Sequence, residues 1–170
     1  RDMLAWINYH NLQFGSQPML LSGLSMGAAT VMFLADEDLP ENVKYCVADC
    51  GFTSPKQIIS KVFRDVVHIP AWSVIWAADL FARVFAGFSL EEKNSLRTLK
   101  ENKLPFFFVH GLADDFVPCE MTKRSFEACA GEKHLLLVEG AGHGVSYIHA
   151  KQKYNEMNVA IIDRLFPKKN

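Results

Sequence analysis

The most constraining feature of this chain is a pentapeptide, Gly23-Leu24-Ser25-Met26-Gly27. It has the pattern G-x-S-x-G and lies between two very different neighbours. Before it stands a short apolar run, Pro18-Met19-Leu20-Leu21-Ser22. After it comes a small, apolar stretch from Gly27 to Leu34. The first is expected to be a buried strand and the second a helix. A strand that turns directly into a helix leaves no room for a loop. The serine at the turn is forced into a strained backbone conformation, with its hydroxyl projecting from the end of the sheet. Side chains at the two glycine positions are expected to collide with neighbouring backbone. The same pattern also occurs by chance in Gly/Ser turns, so its weight comes from the strand–turn–helix context.

The rest of the chain repeats that alternation. Met3 to Leu12 has helical spacing and stops at Gly15; Val43 to Cys50, Leu104 to His110 and His134 to Glu139 read as further strands. Glu120 to Ala130 and Tyr147 to Phe166 read as helices. Alternating strands and helices predict an α/β fold, a mostly parallel sheet flanked by helices. The segment from Ser54 to Asn102 breaks the rhythm. At about fifty residues it far exceeds the dozen or so that a crossover needs, and it reads as a helical, cap-like insertion. Its aromatic residues are Phe63, Trp72, Trp76, Phe81, Phe85 and Phe88.

Composition bounds the function more loosely. The chain has 170 residues, 49% hydrophobic and 22% charged, with a formal net charge of −1. These are the values of a folded domain, with no sign of a nucleic-acid partner. The longest apolar-rich stretch, Ile69 to Phe88, is interrupted by Asp79 and Arg83. The four cysteines (Cys46, Cys50, Cys119 and Cys129) form no CxxC pair and have no zinc-like spacing with histidine, so buried free thiols are expected and no metal is implied. Cys46 and Cys50, within one strand-like run, are expected to share a face. The chain starts at Arg1 inside a helix-like pattern, so a longer parent protein is expected.

A serine hydroxyl is a poor nucleophile near neutrality unless a base adjoins it. Among six histidines, His143 stands out. It sits in Gly140-Ala141-Gly142-His143-Gly144, directly after the last strand, where open α/β sheets place their sites. A carboxylate is then needed to orient the imidazole. Asp114, in the loop after the LPFFFVH strand, is preferred. Asp49, at the end of the preceding strand, and Asp115, a solvated-turn or helix-cap candidate, remain rivals. His110 is expected to hold the acid loop by hydrogen bonds. His10, His68, His134 and His149 have no motif context and read as surface or packing residues. The Met26 N–H, at the start of a helix, is the natural donor to an oxyanion.

Taken together, GLSMGAAT, VADCGFTS, HGLADDFVP and GAGHG resemble the α/β-hydrolase superfamily. They are most similar to bacterial serine hydrolases related to the prolyl-oligopeptidase and acylaminoacyl-peptidase branch. The resemblance covers nearly the whole chain. Its H-G-x-x-D-x-x-V-P signature places the aspartate on Asp114, the valine on Val117 and the proline on Pro118. It implies that residues 1–170 are a single catalytic domain, N-terminally truncated to its C-terminal half, with the cap at 54–102. It implies a Ser25–Asp114–His143 triad, hydrolysis of an ester, thioester or amide through an acyl-enzyme, a small-molecule or peptide acyl substrate and no cofactor. The insertion's Trp72, Trp76, Phe81 and Phe85 are candidate pocket residues, or else simply pack its helices. The second oxyanion donor would come from an earlier loop absent from this chain. Met19 to Ser22 would then be an exposed edge that self-associates or pairs with an N-terminal half. The rival expectation is a non-catalytic fragment or interaction module. Localisation is expected to be cytoplasmic, or membrane-anchored through a preceding segment.

Overall fold

The computed structural model describes residues 2–67 and 71–167; His68 lies outside them. In chain order the elements are α1 (Asp2–Phe14), β1 (Met19–Leu24), α2 (Met26–Phe33), β2 (Val43–Asp49), α3 (Pro55–Val62), α4 (Ala71–Phe81) and α5 (Ser95–Thr98). They continue with β3 (Phe106–Gly111), α6 (Cys119–Ala128), β4 (Lys133–Val138), α7 (Ser146–His149) and α8 (Lys151–Leu165). Two π-helical turns, Phe63–Val67 and Ala82–Ala86, extend α3 and α4.

The strands form one parallel sheet in the order β1-β2-β3-β4. Parallel strands need helices on both faces, and the side chains of the two central strands sort accordingly. Cys46 and Ala48 of β2 and Phe106 and Phe108 of β3 join Ile7 of α1 and Ala28, Ala29, Val31 and Met32 of α2 in one buried cluster. Tyr45 and Val47, with Phe107 and Val109, point the other way and pack with Ile161 and Tyr154 of α8. The apolar run of β3 is thus buried on both sides, each phenylalanine contributing on the order of 1.5–3 kcal/mol of apolar burial.

Register sets the position of the site. Leu24 pairs with Asp49, Asp49 with Val109, and Gly111 with Val138. The carboxyl ends of the strands are therefore level, and the segments after β1, β3 and β4 emerge at the same end of the sheet.

Among the described residues of 54–102, most are helical, in α3, α4, their π-helical extensions and α5. Pro55 opens α3 and Ser54 caps it, its Oγ accepting from the Gln57 N–H at 3.3 Å. Ile58 of α3 is buried with Val117 and Met121, which joins the insertion to the acid loop. At its far end Thr98 donates to the Met32 carbonyl, and Lys93 pairs with Asp36 and Glu37.

Several local expectations need correction. Tyr147 to Phe166 is not one helix. The chain leaves helical geometry at Ala150 (φ −130°, ψ 37°), which separates α7 from α8. The first strand is not fully buried: it lies at a sheet edge, with Leu20 40% and Leu24 53% exposed. Cys50 does not share the strand face of Cys46, because β2 ends at Asp49 and Cys50 turns the chain at φ 47°. Cys46, Cys50 and Cys129 are buried free thiols, while Cys119 is half-buried. Among the described residues, no helix is long and apolar enough to cross a membrane.

Candidate active site

Ser25 occupies the N-cap position of α2. A serine there normally turns its oxygen back onto the helix N–H groups. Here it makes no such bond, because the backbone sits at φ 53°, ψ −110°. Its N–H is held by the Asp49 carbonyl at 2.8 Å and its own carbonyl accepts from Ala29. The hydroxyl is left free for another partner. The tightness of the turn shows at Gly23, where a Cβ would lie 2.2 Å from the backbone C and O of Gly27. The expectation for the second glycine was wrong. A Cβ at Gly27 would meet nothing within 4 Å, because that position points into open space and only Gly23 faces backbone.

His143 supplies the partner. Its Nε2 lies 2.9 Å from Ser25 Oγ, and its Nδ1 lies 2.8 Å from Asp114 Oδ2. A carboxylate only accepts, so the Nδ1 proton faces Asp114 and the Nε2 lone pair faces the hydroxyl. The loops carrying these two side chains touch closely. A Cβ at Gly111 would fall 2.2 Å from the Ala141 carbonyl oxygen, and the Ala113 N–H donates to that same oxygen at 3.0 Å.

Asp114 is fixed by donors on both oxygens. Oδ1 accepts from the Phe116 and Val117 N–H groups at 3.0 and 2.8 Å. Oδ2 faces His143 and also His110 Nε2, at 3.1 Å. His110 is wholly buried, and desolvation lowers its pKa. Its neutral ring donates from Nε2 to the Val117 carbonyl and accepts at Nδ1 from the Thr122 hydroxyl. It therefore braces the acid loop by hydrogen bonds.

The rivals for the acid part differently. Asp115 is exposed, and its carbonyl accepts from Lys61; it is a solvated turn residue, since Pro118 takes the N-cap position of α6. Asp49 is buried at the same sheet end but makes no hydrogen bond to His143. Burial raises its pKa to about 6, opposed by the Ser146 hydroxyl and the nearby imidazole.

Sequence reasoning missed Cys50 and Ser146. Cys50 Sγ lies with the Asp114 and His143 ligand atoms inside a 4.8 Å cluster, the set among the described residues that could grip a cation. Burial pushes that thiol up to about 12, which keeps it protonated, and Asp114 and His143 already satisfy each other. A residue just past a strand's carboxyl end was the available signal. Phe116 sets its ring 5.0 Å from the imidazole, edge-on. Met26, first residue of α2, has no intrahelical acceptor for its N–H. Its side chain is 73% exposed beside the serine.

The structure does not gather the aromatic candidates around Ser25, His143 and Asp114. Trp72 and Trp76 line a cavity of about 340 Å³ with Lys56, Ser60, Ile75 and Leu90, and none of Ser25, His143 and Asp114 borders it. Phe81 and Phe85 pack on each other, centroids 4.3 Å apart, and both stay largely exposed. His10 packs against Phe14, His134 pairs with Glu132, and His149 is exposed.

No family model matches the chain. The Bacillus subtilis (strain 168) protein YqkD, itself uncharacterized, is 26% identical over 145 residues, covering 85% of this chain and 48% of its own. The chain thus spans about half the length of that relative. Solved structures match more fully in shape. The Pyrococcus furiosus esterase Pf2001 superposes with a TM-score of 0.67 at 17% identity, over 96% of this chain and 61% of the esterase. A Mycobacterium tuberculosis puromycin-hydrolyzing peptidase gives 0.73 at 18% identity, over 99% of this chain and 25% of the peptidase. The alpha/beta hydrolase GrgF from Penicillium sp. sh18 gives 0.67 at 14% identity, over 98% of this chain and 71% of GrgF. This chain has the α/β-hydrolase fold.

Proposed function

We propose that the protein is a serine hydrolase that cleaves an ester, thioester or amide bond through an acyl-enzyme on Ser25. The observation that carries this reading is the unbroken hydrogen-bond chain from Ser25 Oγ through His143 to Asp114. It stands on a strained strand-to-helix turn at the carboxyl ends of the strands. Ser25 Oγ attacks the acyl carbonyl as its proton passes to His143 Nε2. Asp114 holds the imidazole in the productive tautomer and stabilises the imidazolium. The Met26 N–H, at the positive end of α2, donates to the tetrahedral oxyanion. His143 then returns the proton to the leaving group, and water repeats the sequence on the acyl-enzyme. No step needs a metal or organic cofactor. The esterase and peptidase activities of proteins with this fold accord with that chemistry.

Steady-state hydrolysis of p-nitrophenyl esters of increasing chain length tests the reading. Turnover above the buffer rate that disappears in Ser25→Ala is expected. Undiminished turnover by purified Ser25→Ala would remove the assignment.

The reading also includes a partner. β1 is an edge strand, and α1 exposes Trp6, Tyr9, Leu12 and Phe14. An apolar edge with unpaired backbone groups is a template for pairing. We infer that this side takes either a second copy of the chain or the N-terminal half of a longer parent. The latter would bring the second oxyanion donor, worth about 10²–10³ in kcat.

A further inference from the structure

Two carboxyls stand at the active-site end of the sheet, and their surroundings are opposite. Asp114 receives N–H groups on both oxygens. Asp49 is only 4% exposed, yet its Oδ1 has no hydrogen-bond partner. The Ser146 Oγ is buried too and makes no hydrogen bond of ordinary geometry, yet its hydroxyl lies near enough to the Asp49 carboxyl to favour its charge. Neither group is remote from the chemistry. Asp49 pairs in register with Leu24 and its carbonyl holds the Ser25 N–H, while Ser146 opens α7 just after His143. A buried carboxyl left short of donors is costly to keep charged. That cost calls for a compensating role.

The groups that face Asp49 identify the role. The His143 imidazole and the Ser146 hydroxyl favour its charge, and Asp114 opposes it. The Cys50 thiol and the Tyr154 phenol of α8 feel that charge in return, and both are held protonated. The cation that forms during the proposed catalytic cycle is the imidazolium.

We propose that Asp49 is a second, switchable positioning carboxyl for His143: when ionised it stabilises the imidazolium alongside Asp114, and when protonated it withdraws that support. The inference rests on the serine-hydrolase reading above. It differs from the acid role of Asp114, which bonds the ring directly and fixes its tautomer. Asp49 acts through space and sets the pH at which the full electrostatic support is present. Burial brings its ionisation to about 6, inside the range over which a histidine base titrates.

The test is the pH dependence of Ser25 labelling by a fluorophosphonate, measured on the 170-residue chain and two variants. Asp49→Asn removes the anion. The imidazolium is then less favoured, so the acid limb of the rate profile shifts to lower pH, and the rate near pH 8 falls roughly tenfold. Ser146→Ala keeps the carboxyl but removes a group that favours its charge. Asp49 then ionises later, and the acid limb shifts to higher pH. Shifts in opposite directions are the signature, because a merely structural role lowers the rate equally at every pH. Coincident limbs, or limbs that move the same way, overturn the proposal. If Asp49→Asn does not fold, the absence of an upward shift in Ser146→Ala overturns it alone. A wild-type chain that is never labelled at Ser25 defeats the hydrolase reading itself, whereas labelling with unshifted limbs defeats only the role of Asp49.

Discussion

Asp49→Asn should make the protein more stable while making it a worse catalyst, and the gain should depend on pH. Burial raises the Asp49 carboxyl from 3.8 to about 6. The folded state therefore holds a proton that the unfolded chain has already released between about pH 4 and pH 6. Stability falls as pH rises through that window and stays reduced above it. At about 1.4 kcal/mol per tenfold change in an equilibrium, the full penalty above pH 6 is roughly 3 kcal/mol. The asparagine amide is itself a buried polar group, which retains part of that cost at ~1–2 kcal/mol. A net gain of ~1–2 kcal/mol is expected at pH 8, about 2–8 °C in Tm for a chain of this length. Near pH 4.5 the wild-type carboxyl is mostly neutral and the gain should shrink toward zero. Thermal melts followed by circular dichroism, wild type against variant at both pH values, give the comparison. Other titrating groups cancel in the difference. A variant less stable than wild type at pH 8, or equally shifted at both pH values, would refute the idea that Asp49 is a buried charge short of donors.

The remaining expectations concern the elbow, the triad and the edge. Gly23→Ala should abolish Ser25 reactivity and destabilise the fold, since its Cβ meets backbone at 2.2 Å, whereas Gly27→Ala should leave the melting temperature within a few degrees; equal losses in melting and labelling would contradict this. His143→Ala and Asp114→Asn should each lower kcat by about 10⁴-fold, while Asp115→Asn stays near wild type in the same ester assay. Light scattering of the purified chain should show self-association through β1 and the exposed face of α1; a monodisperse monomer with a cooperative melt would count against that surface.

The legible parts of this molecule were those whose meaning is local. GLSMG, HGLADD and GAGHG each follow a strand, so pattern and position together singled out Ser25 and His143 and preferred Asp114 over Asp49 and Asp115; the structure joins the first three by hydrogen bonds. The parallel sheet followed from the alternation of short apolar runs such as LPFFFVH with helical stretches. What was not legible depends on distant partners. Asp49 and Cys50 could be placed at a strand end, but His143 and Ser146, which give them their setting, lie far along the chain. The same holds for the insertion. Aromatic spacing showed that Trp72, Trp76, Phe81 and Phe85 belong to helices. It gave no sign that two of them line a separate cavity and two stack on each other. Gly27 was misread because a motif lists residue types without the direction a Cβ would take.

The most direct test of the central claim is covalent. The purified chain is incubated with a fluorophosphonate to completion, digested and mapped by mass spectrometry. One adduct per chain on Ser25, absent from Ser25→Ala and slowed by about 10⁴-fold in His143→Ala, is the result expected of a hydrolase built on this triad. A folded chain that takes up no label, or is labelled equally well without Ser25 or His143, would contradict it.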